Sequence, residues 1–421
     1  MAAQDDVTPA AAIARLFDGP LGGGHRRFGI AVSGGGDSLA LLLSAQTHAQ
    51  STDRSFRVAT VDHGLRPEAV EEARQVAALC AERGIAHDIL TLALRDGPDL
   101  QARARQARYA ALGEWAAQHH LSPVLLGHTQ DDVAESLVMR LRRGVGLEGL
   151  AEMPECWTDA RGQTWARPFL SIARLALRDI LARAGITPIE DPSNEDSRFE
   201  RVEIRKALAM LGWSDAHLAR SARHLAEAAQ AYNTRLADLA EDVFVTTVSD
   251  VVLQTEHARE LAASEPDSLR RLLLAALAWI GGRATPRADE QKRLLDYVAD
   301  PATGGITLAG CRIMCDAAGV RLFREEADCP PEVKFGKVWD RRWLVEGPVA
   351  PGLTIGALGR DIDQTPWRGG VLPRASAMTT PAIRQDGSLL AAPAAGLPGA
   401  YRIKVEGSVA AALRRREPIF N

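Results

Sequence analysis

An apolar run, Phe28-Gly29-Ile30-Ala31-Val32, passes directly into Ser33-Gly34-Gly35-Gly36-Asp37-Ser38 and then into Leu39-Ala40-Leu41-Leu42-Leu43, a helix-forming stretch without a breaker before Ser51. The pattern predicts a strand, a tight turn and a helix. Three successive glycines strip the Cβ atoms from a sharp bend, so amide N–H groups can gather on a bound anion, and the helix adds its free amides and its dipole. Ser33 and Ser38 bracket the turn with hydroxyls able to donate to phosphate oxygens. Asp37 discriminates, because a carboxylate beside an anion cradle is repelled unless a divalent cation stands between them; this marks Asp37 as a Mg2+ ligand. A plain helix N-terminus in which Ser33 or Asp37 only caps would use the same residues. No Gly-Lys-Ser/Thr follows the glycines and no Gly-x-Gly-x-x-Gly spacing is present, so neither a Walker A loop nor a dinucleotide fold is indicated.

Strand and helix patterns then alternate. Residues 56–61 read as a strand ending in Asp62-His63, residues 67–83 as a helix opened by Pro67 and closed by Gly84, and residues 85–94 as a third strand. Short links between them imply a parallel sheet with right-handed crossovers, whose ligands sit outside the carboxyl ends of the strands. Asp62 and His63 lie at such an end, placed for the adenosine half of a nucleotide, although a surface turn would look the same. Arg105 and Arg108 share a helix face and can reach one anion, as can a solvated basic face. After Val124-Leu125-Leu126, a fourth strand, come His128, Asp131, Asp132 and Glu135 at a helix start. Acids are comfortable there electrostatically, yet a histidine at a strand end followed by three acids suits metal-bound triphosphate.

SGGGDS resembles the pyrophosphate-binding loop of the N-type ATP pyrophosphatases, and most of residues 28–206 resembles the lysidine synthetases of that PP-loop family. The blocks run in order through SGGGDS (33–38), VDHGLR (61–66), ARQARY (104–109), GHTQDDVAES (127–136), LRRG (141–144), RPFL (167–170) and DPSNED (191–196). The family usually has Thr where Ser136 stands, and Arg201-Val202-Glu203-Ile204-Arg205 keeps only the flanking arginines of its basic-Asn-basic core. The resemblance implies an α/β adenine nucleotide α-hydrolase-like fold, a parallel sheet with helices on both faces. It implies ATP and Mg2+, and it implies adenylation of the wobble cytidine of tRNA(Ile) with a CAU anticodon, followed by attack of L-lysine. It carries Asp37, Arg108, Asp132 and Glu135 over as catalytic. Ser33, Gly34, Gly35, Gly36, Asp37, Ser38, Asp62, His63 and His128 become ATP-binding, and Asp37 and Asp132 metal-binding. Arg105, Arg143, Asp191, Ser193, Asn194, Arg201 and Arg205 become substrate or tRNA contacts. Glu135 and Asp132 are the candidates to take the lysine proton, or to hold the metal.

A chain of 421 residues is too long for one core. The expected division is a catalytic domain over 1–214, a helical linker with a small α/β domain over 215–330, and a β-rich domain over 331–421 that the resemblance assigns to tRNA recognition. Net charge is −4, so RNA affinity must come from local arginine patches. The acidic start and the lack of an apolar span predict a cytoplasmic protein without a membrane anchor. Cys80, Cys156, Cys311, Cys315 and Cys329 are scattered and read as packing residues. The alternative is a thiolase of the same family, which would use reactive cysteines or an iron–sulfur cluster. The resemblance also admits a homodimer.

Overall fold

Along β1 (Arg27–Ala31), Phe28 and Ile30 enter one hydrophobic cluster and Ala31 another, the period of two that a strand imposes. That alternation sends helices to both faces. The computed structural model describes residues 8–64, 67–94, 97, 100–151, 153–159, 161–189, 200–282, 285–300 and 304–414. It falls into two compact units that part at Ala229 and Gln230.

In the first unit, α1 (Pro9–Asp18) precedes β1, and α2 (Gly36–Gln50), β2 (Ser55–Asp62), α3 (Pro67–Glu82), β3 (His87–Thr91), α4 (Leu100–Gln118), β4 (Val124–Leu125), α5 (Gln130–Arg142) and α6 (Leu147–Leu150) follow. Next come β5 (Cys156–Thr158), β6 (Thr164–Ala166), α7 (Arg174–Arg183), α8 (Glu200–Leu211) and the start of α9 (Asp215–Val243). The sheet order is β3-β2-β1-β4-β6-β5, parallel except for the antiparallel edge strand β5. Residues of α1, α2, α3 and α7 cover one face and those of α4 the other. The expected parallel sheet with helices on both faces is therefore present. The hairpin of β5 and β6, with no turn dipeptide to announce it, is an addition that strand pairing alone reveals.

Strand order reverses between β1 and β4, the switch point at whose carboxyl ends open α/β sheets bind ligands. The glycine-rich loop leaves β1 there, and residues 127–136 leave β4.

The second unit holds the rest of α9, a five-stranded antiparallel sheet and two smaller sheets. The first sheet runs β7-β8-β11-β10-β9, from β7 (Phe244–Thr246), β8 (Val251–Leu253), β9 (Ile306–Leu308), β10 (Cys311–Asp316) and β11 (Gly319–Arg324). Helices α10 (Thr255–Ser264), α11 (Pro266–Gly281) and α12 (Ala288–Ala299) share its core. Beyond them lie an antiparallel sheet of four strands and one of two, the expected β-rich segment. All five cysteines are free; Cys80 and Cys311 are buried, but Cys315 is exposed and so does not pack.

Trp165 on β6 is fully buried, stacks on Trp157 at 6.1 Å and meets Tyr109 edge-on at 4.9 Å. Replacing it with alanine is expected to lower the unfolding free energy by about 3–5 kcal/mol, read by urea denaturation of the full chain.

Candidate active site

Gly34 adopts φ +88°, a left-handed conformation, and a Cβ there would stand 2.6 Å from Ile189 Cδ1. The Ile189 N–H donates to Gly34 O at 3.0 Å, which pins the bend. Gly35 is the N-cap of α2 and makes no side-chain cap bond, so neither Ser33 nor Asp37 caps this helix. The Ser38 hydroxyl donates to Gly35 O at 2.8 Å and accepts the Ser33 N–H at 3.1 Å; it braces the loop from inside. At Gly35 and Gly36 a Cβ would meet nothing closer than 3.7 Å, so the outer surface of the loop is open for an anion. Gly127, after β4, allows the second segment to approach: a Cβ there would lie 3.1 Å from Asp37 O.

Beside the loop, four carboxylates converge on one guanidinium. Arg174 Nε donates to Asp37 Oδ2 at 3.1 Å and Nη2 to Asp132 Oδ1 at 3.4 Å, while Nη1 lies 3.5 Å from Glu135 Oε1 and 3.9 Å from Asp131 Oδ1. Two more arginines reach in from α8, Arg205 onto Glu135 at 2.8 Å and Arg201 onto Asp132 at 3.8 Å. Asp132 divides its labour by atom. Its Oδ2 accepts the Thr129 N–H and hydroxyl at 2.8 and 2.9 Å, a capping box at the start of α5, and its Oδ1 faces the arginines. The capping reading therefore holds for Asp132, which still leaves one oxygen toward the arginines.

Burial pushes the Asp37 carboxyl up; Arg174 opposes this, and Asp132 and Asp131 add to it. Burial also works to raise Asp132, but His128, Arg174, Arg201 and the Thr129 N–H outweigh it and hold the group below its ordinary value. His128 is pushed well down by burial and by Arg167, Arg108 and Arg105, against the pull of Asp132, and its Nδ1 has no partner. Glu135 is buried, and its Oε2 is without a hydrogen-bond partner.

A cavity of about 350 Å³ opens on the other side of the loop, between the ends of β1 and β2, lined by Val32, Ser33, Thr60, His63, Arg108 and Ile189 among others. Burial and Arg108 lower His63, leaving it neutral. Asp62 lies apart: its Oδ1 accepts the Gly64 N–H at 2.9 Å and it does not line the cavity. Arg105 stacks on Tyr109 at 5.1 Å and donates to its hydroxyl. Arg143 pairs with Glu200 at 2.6 Å. Asp191, Ser193 and Asn194 lie outside the described residues.

Among the described residues no three His, Cys, Asp or Glu side chains form a cage for a metal ion. The donors fit Mg2+ in another manner. Mg2+ is bound through one or two carboxylates plus substrate phosphates, and Asp37 and Asp132, both within reach of one guanidinium at the edge of an anion cradle, supply that set.

Two residues of the site escaped the sequence reading. Arg174 is the first residue of α7, where the helix dipole repels a cation. That misplaced charge is the signal that could have found it. Arg167, of the RPFL block, is buried, stacks on Trp157 at 4.0 Å and donates to Pro154 O at 2.9 Å.

Comparison with known proteins follows from this geometry. The PP-loop domain family matches residues 7–211. The tRNA(Ile)-lysidine synthase of Ruegeria pomeroyi is 39% identical, over 90% of this chain and 91% of that protein. That of Novosphingobium aromaticivorans is 42% identical over 67% and 84%. Among solved structures, the U34-tRNA thiolase NcsA from Methanococcus maripaludis matches with a TM-score of 0.44 at 15% identity, over 52% of this chain and 78% of that one.

Replacing Arg174 with alanine removes the cation that opposes the burial of Asp37 and leaves Arg201 and Arg205 as the only arginines on the cluster among the described residues. The Asp37 carboxyl, already raised by burial, then climbs further, and a carboxyl raised by folding loses stability as pH climbs through its unfolded value. The variant is therefore expected to lie close to the native chain near pH 4 and about 3 kcal/mol below it at pH 7, measured by urea unfolding across that range.

Proposed function

We propose that this chain, which belongs to the tRNA(Ile)-lysidine synthase family of PP-loop ligases, joins L-lysine to C2 of the wobble cytidine of tRNA(Ile) bearing a CAU anticodon, consuming ATP and releasing AMP and pyrophosphate. The observation that carries the reading is the pairing of an open anion cradle at Gly35 and Gly36 with four buried or part-buried carboxylates beside it. A triphosphate in the cradle places its reacting phosphorus between the two.

In the first step the cytosine O2 attacks the innermost phosphorus of ATP, an O–P bond forms and pyrophosphate leaves. Amides of the loop and the start of α2 receive the phosphate oxygens. Arg108 and Arg105 stand on the cavity side, where the departing charge needs cations. Asp37 and Asp132 are the proposed ligands of Mg2+, which when bound neutralises charge between carboxylates and phosphates. Arg174 holds those same two carboxylates in register before the nucleotide arrives.

In the second step the lysine amine attacks C2, the C2–N bond forms, the C2–O bond breaks, and AMP departs with the oxygen. The amine attacks only once deprotonated, from a reference pKa of about 10.4. Glu135 Oε2, buried and without a partner, is the acceptor best placed to receive that proton. The thiolase alternative would call for a reactive cysteine by the loop: in the first unit burial pushes Cys80 and Cys156 up, to about 11 and about 12, and Cys311, Cys315 and Cys329 belong to the second unit.

Incubating the chain with tRNA(Ile) transcript, ATP and lysine, then measuring nucleoside masses, is expected to show cytidine gaining lysine with loss of water. A transcript without that gain, or with sulfur in place of oxygen, overturns the reading. Asp37→Ala should lower AMP release by about 100-fold or more while the circular dichroism spectrum holds; unchanged release removes Asp37 from the chemistry.

A further inference from the structure

The corner between α8 and α9 leaves apolar side chains in water at the edge of the site. Gly212 turns the chain at φ +63°, and the Trp213 N–H donates to Leu208 O, which closes α8. Met210, Leu211 and Trp213 stay 88%, 62% and 51% exposed. Cations flank them. Lys206 lies one turn before Met210 on the same helix face, and on α9 Arg220 and Arg223 are exposed, off the buried row of Ala219, Ala222 and Ala226. Arg142, Arg143, Arg201 and Arg205 all engage carboxylates. Among the described residues Lys206, Arg220 and Arg223 have no such partner in an ion pair. The corner borders the carboxylate cluster: Asp215, two residues past Trp213, has its carboxyl pushed up by burial and then by Asp131 and Glu135.

We propose that this corner seats an unpaired stretch of the RNA substrate, with Trp213 stacking on a base next to the one that enters the site and Lys206, Arg220 and Arg223 meeting phosphates. The inference rests on the reading of an RNA substrate above and adds where its loop lies. Every base offers a π-face, so an exposed aromatic at a corner whose two helices carry uncommitted cations suits single-stranded nucleic acid without regard to sequence. A second copy of the chain would cover the apolar trio but leave three cations unmatched.

The test measures binding of tRNA(Ile) transcript to the full chain without ATP over a range of salt, and lysidine formation in parallel. Trp213→Ala is expected to weaken binding about 10-fold, with Trp213→Phe within about 3-fold of the native chain. The pair Arg220→Gln and Arg223→Gln should reduce the slope of log K against log salt by about 1.4, two single-strand phosphate contacts. The KM for ATP should not move in any of these variants. Unaltered binding by Trp213→Ala, or an unaltered slope, overturns the proposal. So does a native dimer that Trp213→Ala converts to monomer, which gives the corner to a second copy. A native chain that binds the transcript yet forms no lysidine overturns the reaction and leaves this surface standing.

Discussion

Four carboxylates packed against an anion cradle repel one another and the ligand, and the first unit is arranged around that conflict. Arg174 answers it by contacting Asp37, Asp131, Asp132 and Glu135 with one side chain, and Arg201 and Arg205 answer it from α8. Negative charge held this way in a partly buried place is poised, because any cation that takes over from the guanidinium finds its ligands already gathered. The start of α7 is an unfavourable place for an arginine, and the carboxylates compensate.

The sheet topology explains why these groups meet. Strand order reverses between β1 and β4, which are neighbours in the sheet, so the loop after one and the helix after the other leave the same edge side by side. Asp37 comes from the first segment, Asp131, Asp132 and Glu135 from the second, and Arg174 follows the pairing of β6 beside β4. Two electrostatic environments result. On the carboxylate side the charge is negative with arginines bound in; on the cavity side Arg108 and His63 line the space. A nucleotide that spans the loop would meet cations at one end and carboxylates at the other.

Much of this was legible in the chain. A glycine run between an apolar strand and a helix admits few conformations, and φ +88° at Gly34 is a consequence of the local sequence. The end of α2 followed from the absence of a breaker before Ser51, and the acids of residues 131–135 announced a charged site by their number alone. Local signals did not disclose the partners these side chains already have: Asp62 accepts the Gly64 N–H, and the Ser38 hydroxyl donates to Gly35 O within the loop. Arg143, read as an RNA contact, pairs with Glu200.

The sequence by itself determined the anion cradle, the parallel α/β sheet and the set of carboxylates, because each depends on backbone freedom or periodicity within a dozen residues. Only the tertiary structure decided which cation stands among the carboxylates, which oxygen of Asp132 caps a helix and which faces the site, and that Glu135 keeps one oxygen unengaged. Arg174 lies 137 positions from Asp37. Nothing in the local code of either residue specifies the other, and their meeting is the product of strand pairing and the burial that drives it.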